Sequence, residues 1–100
     1  MDEVYQAMRA AVADAQVGSD GQLDYRETSE IVGPVLIRQL VVTYVSGNEV
    51  LSLMRLQTTL SNIGKLAHFE YRGRGSHERP HVAATMTVGD QRYDLLYLLS

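Results

Sequence analysis

The last third of the chain alternates apolar and polar side chains with a period of two, and this pattern constrains the fold more than any other feature. Successive side chains of a β-strand point to opposite faces, so the pattern is typical of strands that are buried on at least one face. We predict strands at residues 66–73, 80–88 and 91–99. They form an antiparallel meander, in which Gly89-Asp90 is the tight turn between the last two strands.

The last predicted strand is apolar on both faces. Alternation divides its large apolar residues into two sets: Tyr93, Leu95, Tyr97 and Leu99 on one face, and Leu96 and Leu98 on the other. Such a strand is either central in a sheet that is covered on both sides or part of an interface between chains. We predict a homodimer with Leu96 and Leu98 in its interface, and an edge position would also let this strand pair with a second copy. In the alternative, the middle helix covers the second face and the chain is monomeric.

Residues 2–16 predict an amphipathic helix. Apolar residues recur there at helical spacing: Val4, Tyr5, Met8, Ala11, Val12 and Ala15. Asp2 and Glu3 suit the positive end of the helix dipole. Because most of this stripe is small, the helix can lie close against a sheet.

The middle of the chain is less regular in pattern. In residues 23–32, Leu23 and Tyr25 alternate like a short strand, whereas Thr28-Ser29-Glu30 could cap a helical turn, and we predict that the segment is mostly irregular. Residues 34–46 have apolar pairs at helical spacing, but their β-branched residues favour a strand, which we predict for the second half. Residues 48–63 predict a helix that stops at Gly64.

Together these elements predict a single α+β domain over residues 1–100. The N-terminal helix packs on a small antiparallel sheet of about four strands that ends in the C-terminal three-stranded meander. Hydrophobic residues make up 45% of the chain, which is sufficient for one core.

Residues 72–81, which we call the basic tip, join two of the predicted strands. The net charge of the chain is −3, but this segment holds three arginines and two histidines. We predict an exposed hairpin tip that binds a partner through Arg72, Arg74, His77, Arg79 and His81. The leading hypothesis is a non-enzymatic protein-interaction module (an adaptor, inhibitor or assembly subunit) whose protein partner has an acidic surface. The alternative is a nucleic-acid-binding regulator that uses the same arginines, which the negative net charge disfavours.

Two segments resemble metal-binding motifs in their spacing, but the first lacks the helix and the second lacks the carboxylate ligands that such motifs need. Residues 77–81 match H-E-x-x-H, but Pro80 disfavours the helix on which that motif depends. Residues 16–27 align with a calcium-binding loop, but Gln16 and Gly18 occupy two positions that need carboxylates. We therefore expect no metal, no cofactor and no catalytic residues.

The composition also indicates where the protein works. The chain has no cysteine, which excludes disulfides and thiolate chemistry. It has no apolar run of about eighteen residues, as a membrane-spanning helix requires. Its first residues are acidic, whereas a signal peptide begins with basic residues. We expect no membrane contact and a cytoplasmic location.

Overall fold

The computed structural model describes residues 3–17, 21–47, 50–73 and 80–99. Within these ranges two helices and five strands follow one another: α1 (Glu3–Ala15), β1 (Gln22–Val32), β2 (Val35–Ser46), α2 (Leu53–Ile63), β3 (Lys65–Arg72), β4 (His81–Val88) and β5 (Gln91–Leu98). The predicted α+β class is confirmed, and α1 packs on the sheet as expected.

The five strands form one mixed sheet in the order β1-β2-β5-β4-β3. The antiparallel meander β3-β4-β5 is confirmed, and β1 and β2 form a second antiparallel hairpin. The two parts join where β2 and β5 run parallel to each other. The prediction of a wholly antiparallel sheet of about four strands is therefore wrong. Alternation within a strand shows which of its residues share a face. It does not show which strand lies next to that strand, or whether the two run parallel or antiparallel.

The β1–β2 hairpin corrects two further predictions. Residues that we expected to be mostly irregular form β1, and β2 is a strand along its whole length. The β-branched residues of β2 thus prevail over its helical spacing, because they fit a pleated surface better than a helix. Gly33 has φ 60° and takes the first position of a two-residue turn, where Pro34 suits the second because its φ is fixed at a negative value.

Both helices pack on the same face of the sheet. α1 buries most of the predicted stripe: Tyr5, Met8, Ala11, Val12 and Ala15. α2 buries Leu56 and Leu60, and Ser52 caps its beginning by accepting a hydrogen bond from the backbone N–H of Arg55. Met54, on the same helix, is 80% exposed. The two helices and the central strands share one hydrophobic core.

Candidate protein-interaction surface

The sheet has a second face, which we call the open face, on the side away from the helices. In β5 the buried residues Tyr93, Leu95 and Tyr97 belong to the core, so Leu96 and Leu98 lie on the open face. Neither helix packs on this face within the described residues. The alternative in which the middle helix covers Leu96 and Leu98 is therefore wrong.

The position of β5 changes how a dimer can form. β5 is the central strand of the sheet, with β2 on one side and β4 on the other. Its backbone hydrogen bonds are therefore made within the chain. The suggested backbone pairing of this strand with a second copy is wrong, and only its side chains on the open face remain available for contact.

The register of the strands arranges the open face in four rows. Each row crosses the strands in the order β1, β2, β5, β4 and β3. The first two rows are Asp24, Thr43, Leu98, His81 and Arg72, then Arg26, Val41, Leu96, Ala83 and Glu70. The next two are Thr28, Gln39, Asp94, Thr85 and His68, then Glu30, Ile37, Arg92, Thr87 and Lys65.

The centre of the open face is apolar and its two edges are charged. Val41, Leu96 and Ala83 lie side by side in one row, and Leu98 lies two residues further along β5; all four are partly exposed. The charged residues of the edge strands flank this centre: Asp24, Arg26 and Glu30 on β1, and Lys65, Glu70 and Arg72 on β3. An apolar centre with a polar rim is the usual anatomy of a protein–protein interface.

Three polar side chains of β3 contact one another, with Glu70 between Arg72 and His68. Arg72 donates a hydrogen bond from Nε to Oε1 of Glu70 at 2.7 Å, and His68 Nε2 lies 3.3 Å from the other carboxylate oxygen. The hydrogen bond from Arg72 and its positive charge hold the pKa of Glu70 below its usual range. Glu70 therefore presents a carboxylate that stays ionised at neutral pH.

A second ion pair lies on the central strand. Arg92 donates from Nε to Oδ1 of Asp94 at 3.1 Å and from a terminal nitrogen to Oδ2 at 3.3 Å. This two-point contact neutralises both charges where β5 crosses the open face. Beside it, a depression of about 80 Å³ is lined by Thr28, Glu30, Ile37, Gln39 and Asp94.

The basic tip begins at the end of the open face. Arg72 and His81 pair across β3 and β4, and His81 also lies next to Leu98. The side chain of Arg72 is 58% exposed, whereas His81 is partly buried. The other predicted partner-binding residues, Arg74, His77 and Arg79, lie outside the described residues. The two described ends of the tip, Arg72 and His81, thus lie in the same row of the open face as Leu98.

The β1–β2 hairpin ends in an exposed apolar surface that we did not predict from the sequence. Ile31 is 75% exposed, and Val32, Val35 and Leu36 are each at least 44% exposed. The signal for this surface was Gly33-Pro34 between two aliphatic pairs, which is typical of a turn. We assigned residues 23–32 and 34–46 to separate elements, so the hairpin that joins them was not recognised.

The structure also separates the residues of the two metal-like motifs. Asp24 lies on the open face, whereas Glu27 lies on the helix side, 3.5 Å from Arg9, so they do not converge on one ion. His81 lies in a strand, and residues 77–79 are outside the described part of the chain. Among the described residues no three side chains suited to metal binding cluster together. In the same part of the chain, no helix is long and apolar enough to cross a membrane.

Comparison with known proteins adds no functional assignment. No protein-family model, curated protein or solved structure matches this chain. The geometry and charge of the open face are therefore the basis for the function proposed below.

Proposed function

We propose that this chain is a small non-enzymatic protein-interaction module, an adaptor, inhibitor or assembly subunit. Its binding surface is the open face together with the basic tip that begins at Arg72. One observation carries the proposal: Val41, Leu96 and Leu98 lie partly exposed at the centre of a face on which neither helix packs within the described residues. Removing such apolar surface from water is the main driving force for association between proteins.

The same surface supports a homodimer with room for a second partner. Leu96 and Leu98 form the contact between the two copies, and the tip arginines beyond Arg72 (Arg74 and Arg79) bind a protein with an acidic surface. Arginine suits this role because its planar group forms two-point contacts with carboxylates. A cytoplasmic location fits a chain that has no cysteine, since disulfides are rare in that compartment.

The decisive experiment measures the mass of the protein in solution. We expect the wild type to be a dimer by light scattering at high micromolar concentration. The variant Leu96→Glu/Leu98→Glu should be a folded monomer, because charged groups on the open face oppose its burial. The control Met54→Glu introduces a charge at an exposed site on α2 and should remain dimeric.

Circular dichroism of the same samples separates the remaining possibilities. If Leu96→Glu/Leu98→Glu unfolds, the two leucines belong to an internal core and the open face is not a binding surface. A wild type that stays monomeric at high micromolar concentration would end the homodimer proposal. A mass increase on adding a pool of nucleic acid would favour the nucleic-acid-binding regulator instead.

A further inference from the structure

We infer that a second copy of this chain covers the open face, related to the first by a two-fold axis parallel to β5. This inference rests on the proposed function and adds the arrangement of the two copies. The two open faces stack with their strands nearly aligned, at the spacing of about 10 Å that is usual for packed sheets. Rotation about this axis places β5 over β5 of the partner copy and β1 over β3.

The charges at the two edges of the open face are complementary. Three of the four rows end in opposite charges on β1 and β3: Arg26 with Glu70, Asp24 with Arg72, and Glu30 with Lys65. In the stacked pair each of these residues faces its opposite charge on the partner copy. Glu70 and Arg72 already form an ion pair within each chain, and the partner's Arg26 and the partner's Asp24 extend that pair across the interface. The two-fold axis repeats every contact, so both edges of the dimer are matched in charge.

A two-fold axis perpendicular to the strands gives a much poorer match. It would place β1 over β1 of the partner copy in the opposite direction, so Asp24 would face Glu30. On β3 the same rotation would place Lys65 against Arg72. Like charges that face each other are unfavourable, and the charge pattern therefore selects the axis parallel to β5.

The residues near the selected axis are also compatible with close packing. Leu96 and Leu98 meet the same residues of the partner copy, and the large Val41 faces the small Ala83. Arg92 and Asp94 lie on the axis as well, but each chain already joins them in a two-point ion pair. They approach the partner copy as a neutral pair, so they do not oppose the contact.

The size of the open face is sufficient for a specific dimer. Five strands about 4.8 Å apart, with about eight residues of 3.4 Å each, give a face of roughly 24 by 27 Å. Stacking two such faces buries on the order of 1,300 Å², which lies within the range of specific protein interfaces.

Arg26 and Glu70 provide a sharp test of this arrangement. They lie on the two outermost strands, about 19 Å apart, which is four strand spacings and too far for contact within one chain. The Arg26→Glu chain has acidic groups at both ends of its row, and the Glu70→Arg chain has basic groups at both ends. Each variant alone repels itself in the inferred dimer, whereas a mixture of the two restores both ion pairs.

The test measures dimer affinity by sedimentation and the composition of the dimer by native mass spectrometry. For each variant alone we expect the dissociation constant to rise about tenfold, because both ion pairs become like-charge contacts. The equimolar mixture should form mixed dimers with an affinity close to that of the wild type. Arg55→Glu makes the same charge change on α2 and should leave dimerisation unchanged.

The possible failures have different meanings. If both variants dimerise like the wild type, or if mixing restores nothing, the inferred axis is wrong. The proposed function survives in that case, provided that Leu96→Glu/Leu98→Glu still abolishes the dimer. A monomeric wild type overturns the inferred arrangement and the proposed homodimer together.

Discussion

The side-chain amide of Gln16 donates a hydrogen bond to the hydroxyl oxygen of Tyr97, with 2.8 Å between Nε2 and that oxygen. Both residues are buried, and 81 positions separate them in the chain. The bond ties the end of α1 to the central strand. It therefore helps to hold the helix on one face of the sheet and leaves Leu96 and Leu98 on the other.

Removing the tyrosine hydroxyl should destabilise the fold. Tyr97→Phe leaves the buried amide of Gln16 without its acceptor, and we expect a loss of about 1–3 kcal/mol in the free energy of unfolding. Gln16→Leu/Tyr97→Phe should recover most of this loss, because it removes both polar groups. Denaturant unfolding of both variants measures the difference. A double variant less stable than Tyr97→Phe would show that the bond is not the source of the effect.

Gly64 and Gly33 should respond to substitution for opposite reasons. A Cβ at Gly64 would lie 2.6 Å from the carbonyl oxygen of Thr87, so we expect Gly64→Ala to cost about 1–3 kcal/mol through overpacking. Gly33 has open space around it but a positive φ, so Gly33→Ala costs about 1–2 kcal/mol of backbone strain. Asparagine tolerates that conformation, and Gly33→Asn should therefore be milder than Gly33→Ala.

At Gly64 we expect the asparagine variant to be less stable than the alanine variant, which is the reverse of the order at Gly33. Asparagine is larger than alanine, so Gly64→Asn should melt at a lower temperature than Gly64→Ala. Thermal unfolding of the four variants compares the two sites directly. The same order at both positions would contradict the steric explanation for Gly64.

The ion pair on β3 should be visible as a pKa change. The pKa of Glu70 lies below its ordinary value of 4.5, first because of the hydrogen bond from Arg72 and then because of its charge. Arg72→Ala should return the pKa toward that ordinary value, as an NMR titration of the Glu70 carboxyl carbon can measure. Because the folded-state pKa is lowered, the contribution to stability is present above pH 4.5 and is lost as the pH falls through the lower value. Glu70→Gln should flatten the stability profile in that acidic range.

The exposed end of the β1–β2 hairpin should tolerate polar substitution. Ile31 and Leu36 bury little surface, so Ile31→Thr/Leu36→Thr should change the free energy of unfolding by no more than about 0.5 kcal/mol per site. Leu56→Ala removes a fully buried side chain from the core and should cost about 2–5 kcal/mol. Chemical denaturation of both proteins tests the contrast. A large loss in the hairpin variant would mean that these aliphatic residues pack against something in solution.

The local patterns were sufficient to predict several elements correctly. The stripe that begins at Val4 and Tyr5 predicted α1, and the alternation after Pro80 predicted β4, β5 and the turn at Gly89. The prediction for residues 23–32 failed because their apolar alternation stops after Leu23 and Tyr25, although the whole segment forms a long edge strand with most of its length exposed. In that strand the backbone pairing with β2 determines the structure, and a hydrophobic pattern does not record such pairing.

By itself the sequence determined that Leu96 and Leu98 lie opposite Tyr93, Leu95 and Tyr97, because alternation along one strand depends only on the geometry of that strand. Only the tertiary structure decided that β5 lies at the centre of the sheet and that both helices cover the same side of it. It also decided that Arg26 and Glu70 end the same row. These relationships depend on hydrogen bonds between backbones, which are chemically the same for every residue except proline, and on packing between segments that lie far apart in the chain.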